Sequence, residues 1–270
     1  MIPYLTSGRS RKTETLSRND ILAPFVLFRF HMETGAAPGK AIQIKENTVL
    51  HLILSLCLIA APALAQTVPD AAEIAAFPPL HRAAHNGDTE TIRRLIAEGA
   101  DVNARDRRRR TPAHIAAFAS QEAALTVLSE AGADLNALDG EAYDLVTIAA
   151  VADDPEFMSH AIDLGNDPGL TTSRWDGTAL IAAAHLGHAE VVRRLIAAGA
   201  PLDHINNLGW TALIEAVVLG DGGKNHQEVV RALVAAGADA SIADRDGATP
   251  LMLAEARGYG EIARLIRAGR

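Results

Sequence analysis

The chain has 270 residues, of which 49% are hydrophobic and only 4% aromatic, and its formal net charge is −8. The hydrophobic share excludes a disordered chain, and the scarcity of Phe, Tyr and Trp argues against an ordinary globular enzyme core, because aromatics supply the largest buried areas. Residues 1–65 hold 7 Lys+Arg against 4 Asp+Glu and residues 66–270 hold 18 against 29. An acidic body disfavours nucleic acid, which needs a basic face, and fits a soluble monomer kept apart by mild self-repulsion.

In chain order, residues 1–45 come first and predict a disordered leader, or a start assigned too far upstream with Met32 or a later position as the true one. Residues 46–65 hold the apolar core and cleavage site of a signal peptide. No Lys, Arg, Asp or Glu occurs from Asn47 to Pro69, Lys40 and Lys45 precede the apolar run, and Ala63-Leu64-Ala65 ends it. A basic flank, a short apolar run and an A-x-A site define an export signal, so cleavage is expected after Ala65 and the mature protein in the periplasm. The alternative is a retained membrane anchor, against which Pro62 shortens the helical part below a span of roughly 17 residues. Leu54 stands where a lipoprotein box requires a small residue. The only cysteine, Cys57, lies in this segment, so its removal would leave no disulfide, thiolate or Cys–zinc chemistry.

Residues 70–270 are repetitive. Pro79-Leu80-His81-Arg82-Ala83-Ala84 returns as Thr111-Pro112-Ala113-His114-Ile115-Ala116, Thr178-Ala179-Leu180-Ile181, Thr211-Ala212-Leu213-Ile214 and Thr249-Pro250-Leu251-Met252. Gly99, Gly132, Gly165, Gly199, Gly237 and Gly269 follow at intervals of 33, 33, 34, 38 and 32 residues. Each unit predicts two helices. Pro112 and Pro250 suit a first helical position. Val191, Val192, Leu195 and Ile196 form an apolar stripe opposite Arg193 and Arg194, and the glycines end the second helix in a left-handed turn. No unit can bury its stripe alone, so each leans on its neighbours.

This period and its T-P-L-H-x-A core resemble the ankyrin repeat, and the stretch His204–Leu213 with the following Gly-Asp-Gly-Gly resembles exported bacterial ankyrin proteins. The resemblance implies an all-α solenoid of about six helix-turn-helix units joined by β-hairpin-like fingers, binding a partner through a concave face of fingers and first helices. Two units depart from the pattern. Repeat three opens on Tyr143-Asp144-Leu145, and Asp153-Asp154-Pro155 is expected to break its inter-helix turn, making it the weakest unit. Repeat five carries an insertion, Gly220 to His226, expected as a flexible loop.

No cofactor, metal site or catalytic residue is expected, because no H-E-x-x-H, paired-Cys, G-x-S-x-G or phosphate-loop pattern occurs. His81 and His114 fall at the family's structural histidine. A metal-dependent or other enzyme using Asp221, His226 and Glu228 of the repeat-five loop remains the remote alternative. The predicted contact residues for a protein partner are Arg107, Arg108 and Arg110 on one finger, Trp175 on another, and Asn206, Asn207 and Trp210 on a third, with Glu215 beside it. Trp and Arg are the residue types that dominate binding hot spots. A secreted effector acting on a host or competitor protein is the alternative to a periplasmic scaffold.

Overall fold

The computed structural model describes residues 67–269, which hold thirteen helices. The leader, the apolar core and the cleavage site all lie outside the described residues. Among the described residues no helix is long and apolar enough to cross a membrane.

A short α1 (Ala71–Ala75) is followed by six pairs: α2 (Pro79–His85) with α3 (Thr89–Ala97), α4 (Pro112–Phe118) with α5 (Glu122–Glu130), α6 (Leu145–Val151) with α7 (Pro155–Asp163), α8 (Ala179–Leu186) with α9 (Ala189–Ala197), α10 (Ala212–Val218) with α11 (Lys224–Ala235), and α12 (Pro250–Ala256) with α13 (Gly260–Ala268). First helices pack on first helices and second on second, which makes two layers. The small residues explain the spacing. Ala113, Ala116, Ala149, Ala183 and Ala216 are buried between neighbouring first helices, where a larger side chain would hold the layers apart. The second layer brings the branched residues. In α9, Val191, Val192 and Leu195 are wholly buried while Arg193 and Arg194 turn outward onto Glu190.

Helix ends follow the sequence closely. The Thr111, Thr178, Thr211 and Thr249 hydroxyls each cap the third residue of the first helix that follows, satisfying a donor that the helix leaves orphaned. Gly199 ends α9 at φ +83, and its N–H donates to Ile196 while Ala200 N–H donates to Leu195. Gly269 does not repeat this turn, because its φ is −94.

Repeat three is not broken. Asp144 replaces the capping threonine and accepts from Thr147 N–H at 2.9 Å. Asp153 takes the left-handed conformation at φ 55, Asp154 caps Phe157 N–H at 3.0 Å, and Pro155 occupies the first position of α7. What reads as a breaker is a helix start. Leu145, Val146, Phe157 and Met158 are buried completely.

The insertion in repeat five is likewise ordered. Its last three residues, Lys224, Asn225 and His226, extend α11 to 12 residues where the other second helices have 9. The remainder is pinned by Asp221, which accepts from Gly223 N–H at 2.8 Å and meets His226 Nδ1 at 2.9 Å.

Candidate functional site

Between repeats the chain projects fingers at 103–110, 136–143, 169–177, 203–210 and 241–248. Only one β-bridge, Thr172 to Gly177, occurs among the described residues, so these are turns organised by side chains rather than ladders. Asp106, Asp139 and Asp244 each accept the N–H groups two and four residues ahead, at 2.8 to 3.0 Å. Asn206 does the same for Leu208 and Trp210, both at 3.0 Å, and Ser173 for Trp175 at 3.2 Å. Three of the four neighbouring pairs are then joined by a peptide hydrogen bond, Gly140 to Arg108 at 2.8 Å, Ser173 to Ala142 at 2.6 Å and Asn207 to Trp175 at 2.9 Å, and the fourth by the Arg245 guanidinium donating to the Asn207 carbonyl.

The predicted contact residues divide into two groups. Trp175 is 45% exposed, Trp210 is half-buried, and Arg107, Arg108 and Asn207 are exposed. Trp175 and Trp210 lie on adjacent fingers, and Asn207 ties those fingers together, with its backbone to Trp175 and its side-chain amide to the Arg174 carbonyl at 2.9 Å. Arg110, Asn206 and Glu215 are buried, and this corrects their reading as partner contacts. The Arg110 guanidinium meets Asp106 at 2.7 Å and lies over the Phe77 ring at 5.5 Å. It packs the finger onto the body, burying its apolar stem while pairing its charge.

Glu215 sits on α10 where other units carry an apolar or small residue. Its Oε1 accepts from Asn206 Nδ2 at 2.8 Å, and Oε2 lies 3.6 Å from His185 Nδ1. Burial pushes the carboxyl up to about 7 against the opposing pull of the Asn206 hydrogen bond. Burial, and then the nearby His226, lowers His185. The two are therefore not an ion pair near neutrality, since each environment favours the uncharged form. Asn206 explains itself in the same geometry. An Asp there would hold the finger turn equally well but would face Glu215 with a second carboxylate.

The structural histidines are fixed by backbone. His81 Nε2 lies 3.0 Å from the Arg110 carbonyl and His114 Nε2 3.2 Å from that of Tyr143, and burial pushes His114 down to about 4. Each thus bonds the finger of the next unit to its own first helix. Asp221 and His226 are engaged with each other, and Glu228 pairs with Arg231 at 3.4 Å. Among the described residues no three His, Cys, Asp or Glu side chains converge as a metal site would require.

Sequence reasoning missed α1. Its signal was present in Asp70-Ala71-Ala72-Glu73, a capping box in which Asp70 accepts from Glu73 N–H at 2.8 Å and Glu73 accepts from Asp70 N–H at 3.2 Å. Glu73 also binds Arg108 Nε at 2.5 Å.

Comparison with known proteins agrees with this architecture. The family model described as "Ankyrin repeats (3 copies)" matches residues 41–139 and 146–244. Putative ankyrin repeat protein YahD of Escherichia coli K12 is 35% identical over 185 residues, which is 68% of this chain and 92% of that protein. An ankyrin repeat domain from Acinetobacter baumannii AYE superposes with a TM-score of 0.67 at 42% identity, covering 71% of this chain and 97% of the other. The ankyrin repeat protein EF0377 superposes with a TM-score of 0.65 at 31% identity, covering 70% and 96%.

Proposed function

Because the chain belongs to the ankyrin repeat family, whose repeats serve as protein–protein interaction modules, we propose that it is an exported, non-enzymatic binding protein that holds a partner protein on its fingers and first helices. The observation that carries this reading is Trp175, a large aromatic left 45% exposed on a finger that is bonded to the finger bearing Trp210. An aromatic held rigidly in water is the usual anchor of an interface, because little side-chain entropy remains to be lost on binding. Asn207 is bonded beside it, and the exposed Arg107 lies two fingers along the same row, giving polar groups of the kind that rim such an anchor. Export rests on the charge-free stretch from Asn47 to Pro69 and the Ala63-Leu64-Ala65 site, and it would place the partner in the periplasm.

The experiment is crosslinking and pull-down from the envelope fraction, followed by substitution. Trp175→Ala should weaken capture of the recovered partner by more than ~1 kcal/mol and leave thermal stability nearly unchanged. Trp210→Ala, half-buried against its own finger, should cost both capture and some stability. Normal capture by both variants would overturn the reading. Terminal sequencing of the same preparation tests export, the expected first residue being Gln66.

A further inference from the structure

The finger with four consecutive arginines carries a segment of its own chain. By register, residues 70–77 stand where repeat one would have its finger, yet they form α1 instead. Glu73 falls at the position where Asp106, Asp139 and Asp244 each close a turn. Its longer side chain turns outward and takes Arg108 Nε at 2.5 Å, with Arg110 Nη2 at 3.6 Å. Upstream, Thr67 Oγ1 donates to Glu141 Oε1 on the following finger at 3.1 Å, so 67–76 spans the tips of two fingers.

What holds this segment is slight. No residue of α1 is buried, Pro69 is the one buried residue of 67–76, and the other attachments are polar and partly exposed: Glu73 to Arg108, Arg82 to the Ala75 carbonyl at 2.7 Å, and Thr67 to Glu141. The apolar anchors, Pro69 and Phe77, lie on either side of the helix rather than in it. Exposed ion pairs of this kind contribute little to stability. The resident carboxylate also fits incompletely. Arg110 is 2% exposed, and its Nη1 has no hydrogen-bond partner among the described residues, while 3.6 Å to Glu73 is beyond good hydrogen-bonding distance. Arg110 stays a structural residue held by Asp106 and Phe77, and Arg108 is the exposed arginine that exchanges its carboxylate.

We propose that the arginine finger is a receptor for the acidic first turn of a helix, that 67–76 is its resident occupant in cis, and that a partner binds there by presenting an acidic helical turn that replaces α1. This rests on the binding-protein reading and specifies the partner's chemistry at one end of the surface. The mode is on view in the molecule itself: an Asp at the N-cap, a Glu three residues on, and that Glu paired to Arg108.

The test uses protein expressed from the full-length gene, so that any native processing is kept, and a fluorescent alanine-rich helical peptide opening on Asp-Ala-Ala-Glu, read by anisotropy. Glu73→Ala should leave Arg108 only its longer 3.7 Å contact with Glu141 and tighten the peptide by about threefold to fivefold, the factor a single exposed ion pair can hold back. Arg108→Glu should abolish binding in both backgrounds, and high salt should weaken it. A peptide opening on Lys-Ala-Ala-Lys should not bind. Circular dichroism verifies that each variant is folded. Equal affinity for wild type and Glu73→Ala, no binding by either, or binding indifferent to Arg108→Glu, would overturn the proposal. None of these outcomes touches the Trp175 capture experiment, so the two can fail separately.

Discussion

At the scale of single residues, Asn206 and Glu215 form a matched pair whose logic is electrostatic. Asn206 supplies an oxygen to the finger turn and a donor to the buried carboxyl, a combination no Asp offers at neutral pH. The carboxyl has consequences for stability. Its folded value of about 7 lies above the ordinary 4.5, so between these limits the folded protein keeps a proton that the unfolded chain has lost. Stability from this group is therefore complete below about pH 4.5, falls as pH rises to about 7, and stays flat above, with a total of on the order of 3 kcal/mol. Glu215→Gln should remove the loss and raise the melting temperature at pH 8 relative to wild type, with little change at pH 4.5. Taking the difference between the two profiles separates Glu215 from His81, His114 and His185. Those groups are lowered by burial and act in the opposite sense, losing stability as pH falls below their ordinary 6.5. Asn206→Asp should be destabilising at pH 8 by about 2 kcal/mol or more and milder at pH 5. Identical profiles for wild type and Glu215→Gln would mean that the carboxyl is not desolvated.

Among the elements, the repeat-five insertion is the place where sequence reading and structure differ most usefully. The stretch from Gly220 to His226 suggested flexibility, yet two of its three glycines have a neighbour that needs them. A Cβ on Gly220 would lie 2.1 Å from the Ala216 carbonyl oxygen and 2.6 Å from the His226 ring, and one on Gly222 would meet the Tyr259 ring at 2.6 Å. Tyr259 in turn donates its hydroxyl to the Gly220 carbonyl at 3.1 Å, so the insertion bridges repeat five to repeat six. Gly220→Ala should cost about 2–3 kcal/mol, through a backbone clash with no flexible end to move aside. Gly247→Ala, at φ +79 with open space around its Cβ, should cost only about 1 kcal/mol of backbone strain. Urea melts of the two variants give the comparison directly, and equal costs would count against an ordered insertion.

Over the whole molecule, the repeat period and helix pairing were legible because spacing is a one-dimensional quantity. The first-position prolines and the apolar stripes are local chemistry, and both stand where the pattern placed them. What could not be read was substitution of means. Asp144 caps as a threonine would, Asp154 with Pro155 starts a helix, and α1 takes the room of a finger. Burial was equally hidden: Arg107 and Arg110 are the same residue type in one run, and only packing against Phe77 and Asp106 separates an exposed arginine from a structural one. Repeat three illustrates the energetic cost of that blindness. A solenoid's stability is near a sum of units and their interfaces, and this unit has its caps and a fully buried core. Hydrogen exchange should find α6 and α7 protected as strongly as α8 and α9, and marked early exchange in α6 would restore the broken-turn view.

The fingers are tied by more than their peptide hydrogen bonds. Arg105 Nη1 also donates to the Leu138 carbonyl at 2.7 Å on the next finger, and between the fingers of Trp175 and Trp210 the Asn207 amide is joined by His204 Nε2, 2.6 Å from the Asp176 carbonyl. Two or three bonds along one seam oppose rotation as well as separation. The fingertips therefore stand like the teeth of a comb, with their spacing set in advance, and a partner would have to bring a surface of matching curvature.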